Sequence, residues 1–111
     1  MFSETVNLKL NSVRASEHAR GIPTHVVEAA RGKLVQLLQI EYPDLKADDV
    51  IFDAFKKVEW SDGSLGCPEE GVSYMERITP GYWVAFHIGE ERFILHTNAD
   101  GSRIVSPDFR G

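Results

Sequence analysis

The sequence predicts a two-layer α+β domain: one helix packed on an antiparallel β-meander, with a long structured loop between the first two strands. Three observations carry that expectation. Apolar residues recur with a helical period over residues 24–42 and with a period of two from Val50 onward. The strand-like segments are joined by short turns, which suit antiparallel neighbours. Three glycines, a proline and the only cysteine are crowded into residues 60–71, between two such segments.

Residues 1–22 read as an N-terminal tail or an edge strand, from a brief alternation of Val6, Leu8 and Leu10 followed by a polar run; residues 23–107 form the single α+β domain. In the helix, Val27, Ala30, Leu34, Leu37 or Leu38, and Glu41 mark successive turns of one side. Val26, Ala29, Val35 and Ile40 widen the apolar stripe, and Glu28, Arg31, Lys33, Gln36 and Gln39 take the solvent side. Pro23 or Thr24 suits its first positions, and Pro43 stops it just beyond Tyr42. Gly32 in mid-helix costs about 1 kcal/mol relative to alanine. It reads equally as a close-approach position or as a tolerated glycine.

Residues 50–60 read as a long strand with Val50, Phe52, Ala54, Val58 and Trp60 on one face. Lys56 interrupts that face, which predicts a bulge or a sheet edge there. After the loop, residues 72–78 form a second strand, ended by a turn at Thr79-Pro80-Gly81. Residues 82–88 carry the clearest alternation, with Tyr82, Val84, Phe86 and Ile88 on one face and Trp83, Ala85 and His87 on the other. A turn at Gly89-Glu90-Glu91 returns the chain through residues 92–97. A second turn at 98–101 leads to a last short strand at 103–105.

Composition narrows the function. A chain of 111 residues with net charge −5 lacks the basic face that nucleic acid requires, and its charges are interleaved rather than grouped. One cysteine makes no intramolecular disulfide, which fits a reducing compartment. The N-terminus has neither a basic n-region nor an apolar h-region, and no apolar run approaches the roughly 20 residues of a membrane span. A cytoplasmic protein without membrane contact is expected.

The sequence W-S-D-G-S-L-G-C-P-E-E-G at 60–71, with I-T-P-G-Y at 78–82 and G-E-E-R-F-I-L-H-T at 89–97, resembles a family of small, largely uncharacterised bacterial domains that carry a W-x-D-x-S-L-G-C-P-x-x-G loop. The resemblance covers about the last half of the chain and implies no established reaction. Members of that family often look exported and often have a second cysteine. Here Ser106 stands about where that partner would be, so a disulfide role for Cys67 is not implied.

Three functional readings follow from the residues. In the leading one the protein is a non-enzymatic binding or regulatory module. It presents the 61–71 loop and nearby aromatics to a protein partner or a small ligand through Trp60, Asp62, Ser64, Leu65, Cys67, Tyr82, Trp83 and His96. In the second, Cys67 is a nucleophilic or redox thiol served by His96 or His87. Glu69 and Glu70 oppose this by disfavouring a thiolate beside them. In the third, edge strands pair copies into a homo-oligomer. No cofactor is expected, and no metal, because close ligand pairs such as C-x-x-C are missing. The adjacent carboxylates Asp48-Asp49, Glu69-Glu70 and Glu90-Glu91 fit exposed turns better than acid–base chemistry.

Overall fold

The computed structural model describes residues 21–109. The alternation at Val6, Leu8 and Leu10 lies outside the described residues. Helix α1 (Thr24–Leu38) buries Val26, Val27, Ala30, Leu34 and Leu38, which recur at the spacing that keeps one face apolar. Pro23 is its N-cap, with extended backbone and a carbonyl that accepts from the Val26 N–H at 3.0 Å. The regular helix ends at Leu38, and a looser turn continues to Tyr42, whose N–H reaches the Leu38 carbonyl at 2.9 Å. Pro43 disfavours helical backbone at Tyr42 and offers no N–H of its own. Ile40, expected in the apolar stripe, lies beyond the helix and is 84% exposed.

A short 3-10 turn, Ala47–Asp49, leads into strand β1 (Ile51–Trp60), followed by β2 (Thr79–Ile88), β3 (Glu91–Asn98) and β4 (Ile104–Val105). The four strands form one antiparallel sheet in the order β1-β2-β3-β4, with α1 across one face. The expected α+β meander is therefore the observed architecture. Val26, Val27, Ala30, Leu34 and Leu38 meet Phe52, Val84, Phe86, Phe93 and Leu95 in the core, and Phe52 meets Phe86 edge to face at 6.0 Å between ring centres. Arg31 ties the two layers at their margin: its Nε donates to the Val50 carbonyl at 3.1 Å and its guanidinium lies over the Phe86 ring. No helix among the described residues is long and apolar enough to cross a membrane.

Three expectations are corrected by the sheet. The irregularity in β1 is at Asp53, not Lys56. Phe52 pairs with Phe86 and Ala54 with Ala85, so Asp53 is the extra residue of a bulge. One extra residue reverses which side chains face which layer. Val50 and Phe52 therefore join the core, Phe55 turns to the helix side against Tyr82, and Ala54, Lys56, Val58 and Trp60 go to the outer face.

Residues 72–78 are not a strand. Both neighbours of β2 are already in place, so the alternation there has no ladder to join; Val72, Met75 and Ile78 remain exposed. Thr79-Pro80-Gly81 is not a turn but the start of β2, with Pro80 opposite Glu59 and Gly81 opposite Val58.

The free edge of β3 beyond β4 is closed by side chains. The Ile94 N–H donates to Asp108 Oδ2 at 2.9 Å, and the Ile94 carbonyl accepts from the Ser106 hydroxyl at 2.6 Å. Ser106 is buried, so its hydroxyl completes the sheet edge.

A Cβ at Gly32 would meet nothing within 4 Å, so this glycine is tolerated rather than required. Gly32→Ala is expected to stabilise the protein by about 0.5–1 kcal/mol, read as a raised denaturation midpoint with an unchanged slope.

Candidate functional site

Residues 61–78 join β1 to β2 and leave the sheet between the paired Trp60 and Thr79. The loop opens with a tight turn in which Asp62 Oδ1 accepts from the Ser64 N–H at 2.9 Å and from the Ser64 hydroxyl at 2.6 Å. The hydroxyl bond first, and then the backbone bond, favour the ionised carboxylate and hold Asp62 below its ordinary 3.8. The next turn follows as Cys67 N–H donates to the Ser64 carbonyl at 3.0 Å.

Between these turns Leu65 adopts φ 56°, a left-handed conformation that costs an aliphatic residue about 1 kcal/mol. Its side chain is only 1% exposed, and the apolar surface it buries offsets that cost. Ser64 and Cys67 are buried beside it in the chain. The second half of the loop doubles back over the first: the Gly63 N–H donates to the Met75 carbonyl at 3.1 Å, and the Glu69 N–H to the Tyr74 hydroxyl at 3.1 Å. Arg103 lies over the Tyr74 ring, 5.9 Å from its centre.

The loop is held to the outer face of the sheet by Trp60, which the bulge at Asp53 has turned to that side. Its indole N–H donates to the Thr97 carbonyl at 2.9 Å, and its ring stacks on His96 with centres 4.4 Å apart and planes 23° from parallel. Two glycines make room. A Cβ on Gly66 would come within 3.0 Å of the indole and 3.3 Å of His96 Nδ1, and one on Gly81 would lie 1.8 Å from the Thr97 oxygen and 2.8 Å from Trp60 Nε1.

His96 Nδ1 stands 2.8 Å from the Leu65 carbonyl oxygen and 3.6 Å from Cys67 Sγ. A carbonyl only accepts, so Nδ1 carries the proton and donates it to Leu65. In the neutral ring the lone pair is then on Nε2, and the nitrogen facing the thiol has none to offer. A histidine that activates a thiol needs the opposite arrangement.

His87 is elsewhere on the same face. It is four residues along β2 from Trp83, the cross-strand partner of His96, or about 13 Å at roughly 3.3 Å per residue. Its Nδ1 pairs with Asp53 Oδ1 at 2.6 Å, and Asp53 Oδ2 also receives Arg92 Nε at 3.8 Å. Trp83 is half-buried beneath two cations, with Lys56 Nζ 5.1 Å and the Arg92 guanidinium 5.7 Å from its ring centre. Among the described residues no group of three His, Cys, Asp or Glu side chains is arranged to hold a metal ion.

The structure thus gathers Trp60, Asp62, Ser64, Leu65, Cys67 and His96 into one cluster. Trp83 is adjacent through its pairing with His96, while Tyr82 lies on the helix side against Phe55. Burial of Ser64, Leu65 and Cys67 leaves them little surface to present. Sequence reasoning missed Gly81, Thr97 and Asp53. Gly81 carried a usable signal, since a glycine inside an alternating pattern marks close backbone approach. Thr97 acts through its carbonyl, which no side chain announces.

Residues 27–106 match the family model of a domain of unknown function, DUF8738. The chain belongs to that family. The DUF8738 match begins inside α1 and runs through β4, so it contains the loop and every strand that supports it. No curated protein and no solved structure matches the chain.

Gly81→Ala is expected to destabilise the domain by roughly 3 kcal/mol or more, because the added methyl meets backbone rather than a movable side chain. Urea denaturation of the variant checks this, with loss of Trp60 fluorescence protection accompanying the lower midpoint.

Proposed function

We propose that this DUF8738 domain is a non-enzymatic binding or regulatory module whose protein-facing surface is the outer part of the 61–78 loop. The observation that carries the reading is the exposure of three apolar residues, Val72 at 48%, Met75 at 68% and Ile78 at 64%, on a loop whose base is fixed by Trp60 and His96. A fixed segment that keeps apolar side chains in water suits a partner's surface better than the domain's own core. Trp83, with Lys56 and Arg92 on its ring, extends that surface along the outer face. We further propose that the W-x-D-x-S-L-G-C-P-x-x-G loop marks the bacterial members of the family, and that this chain acts in the cytoplasm.

A second reading rests on one contact, the 3.6 Å approach of Cys67 Sγ to His96 Nδ1, which brings a thiol and an imidazole together as a cysteine-dependent enzyme or redox protein would. Against it stand the burial of Cys67 and the commitment of Nδ1–H to Leu65.

Replacing Val72, Met75 and Ile78 together by serine is expected to leave stability within about 0.5 kcal/mol per site, since all three are exposed. The same variant should lose the proteins that the tagged wild-type domain captures from cells of its source. Capture of the same proteins at the same level would contradict the binding reading. Rapid alkylation of Cys67 near neutral pH, slowed by His96→Ala, would support the second reading instead.

A further inference from the structure

At the end of the sheet opposite the 61–78 loop, the connection after α1, the end of β2, the start of β3 and the C-terminal turn form a groove of about 920 Å³ that opens to solvent. We propose that this groove binds an extended peptide segment of a partner protein in which lysine or arginine alternates with apolar residues. Its apolar lining comes from Tyr42, Phe93 and Phe109, with the aliphatic Leu38, Leu45 and Ile88. Phe109 stacks on the buried Phe93 with ring centres 6.0 Å apart and planes 18° from parallel, and Tyr42 stands 59% exposed at the groove. Such a lining takes apolar side chains, and its volume lies within the range of ligand-binding clefts.

Charge selects among apolar ligands. Among the described residues the groove carries five carboxylates, Glu41, Asp44, Asp49, Glu91 and Asp108, against one cation, Arg92. Asp49 and Asp108 each spend an oxygen on a backbone N–H, of Lys46 and Ile94 respectively. Arg92 is engaged on the outer face of the sheet with Asp53 and Trp83. What remains is a net negative field over an apolar surface, which repels anionic ligands and attracts cations with apolar bodies.

The carboxylates also stand on separate segments. Glu41, Asp44 and Asp49 come from the connection that follows α1, Glu91 from the start of β3 and Asp108 from the C-terminal turn. This spread favours several cations along an extended chain over one ammonium at a point. The groove is separate from the loop surface proposed above and does not depend on it.

The test is fluorescence anisotropy of a dye-labelled acetyl-Lys-Leu-Lys-Phe-Lys-Leu amide titrated with the full chain, beside the same peptide with glutamate for lysine. Saturable binding of the lysine peptide alone is expected. Glu41→Gln, Asp44→Asn and Glu91→Gln combined should weaken it about tenfold or more, and Tyr42→Ala about threefold or more. The distant set Glu69→Gln, Glu70→Gln and Glu76→Gln should change it less than about twofold. Absence of saturation, equal weakening by the two charge-neutralised sets, no effect of Tyr42→Ala, or equal binding of the glutamate peptide would each overturn the proposal.

Discussion

The indole of Trp60 makes three attachments at once. Its N–H holds the Thr97 carbonyl in β3, its ring covers His96, and its edge rests on the loop at Gly66. Two of them reach β3 and the third reaches the loop, so the end of β1, the third strand and the loop are drawn together at one side chain. A stacked ring pair and a hydrogen bond are modest individually, each about 1 kcal/mol. They act together with the bond from His96 Nδ1–H to the Leu65 carbonyl, which also ties the loop to the sheet. Trp60 is on this face only because Asp53 adds one residue to β1; without that bulge the strand's later side chains would face the opposite layer.

This arrangement gives the loop an inside and an outside. Inside are Ser64, Leu65 and Cys67, with the Leu65 carbonyl turned to His96. The left-handed backbone at Leu65 places that carbonyl and that side chain where both are satisfied, which is what makes the strained conformation tenable. Outside are residues 68–73 and the apolar positions up to Ile78, held by Tyr74 and the Met75 carbonyl but largely open to water. A cysteine and a histidine in contact suggest catalysis, yet the proton on Nδ1 makes the histidine a brace for the loop. The pairing of His87 with Asp53 occupies the other strand histidine at the bulge itself.

Much of the fold was legible in the sequence. The stripe from Val26 to Leu38 and the alternation from Tyr82 to Ile88 are long enough to outweigh local noise, and both lie where the patterns put them. The bulge was not legible, because an aspartate at an outward-reading position looks like any exposed strand residue. Residues 72–78 alternate as a strand does, but a strand also needs a free ladder, and that is decided by where the rest of the sheet lies. Pro80-Gly81 has the composition of a turn; only the indole and the Thr97 carbonyl pressing on Gly81 explain the glycine. The loop's position was plain from its glycines and proline. Its meaning was not, since Cys67 and Leu65 take their roles from a histidine in β3.

The central claim is that His96 supports the loop rather than activating the thiol, and its tautomer decides the matter. Two-dimensional ¹⁵N–¹H spectra of the histidine rings, assigned with His96→Gln, separate a protonated from an unprotonated nitrogen directly. The account predicts that Nδ1 carries a proton shielded from exchange by the Leu65 carbonyl, and that the bare nitrogen of the neutral form is Nε2. A ring protonated at Nε2, with the bare Nδ1 directed at Cys67, would contradict it and make the cysteine–histidine pair the working centre of the domain.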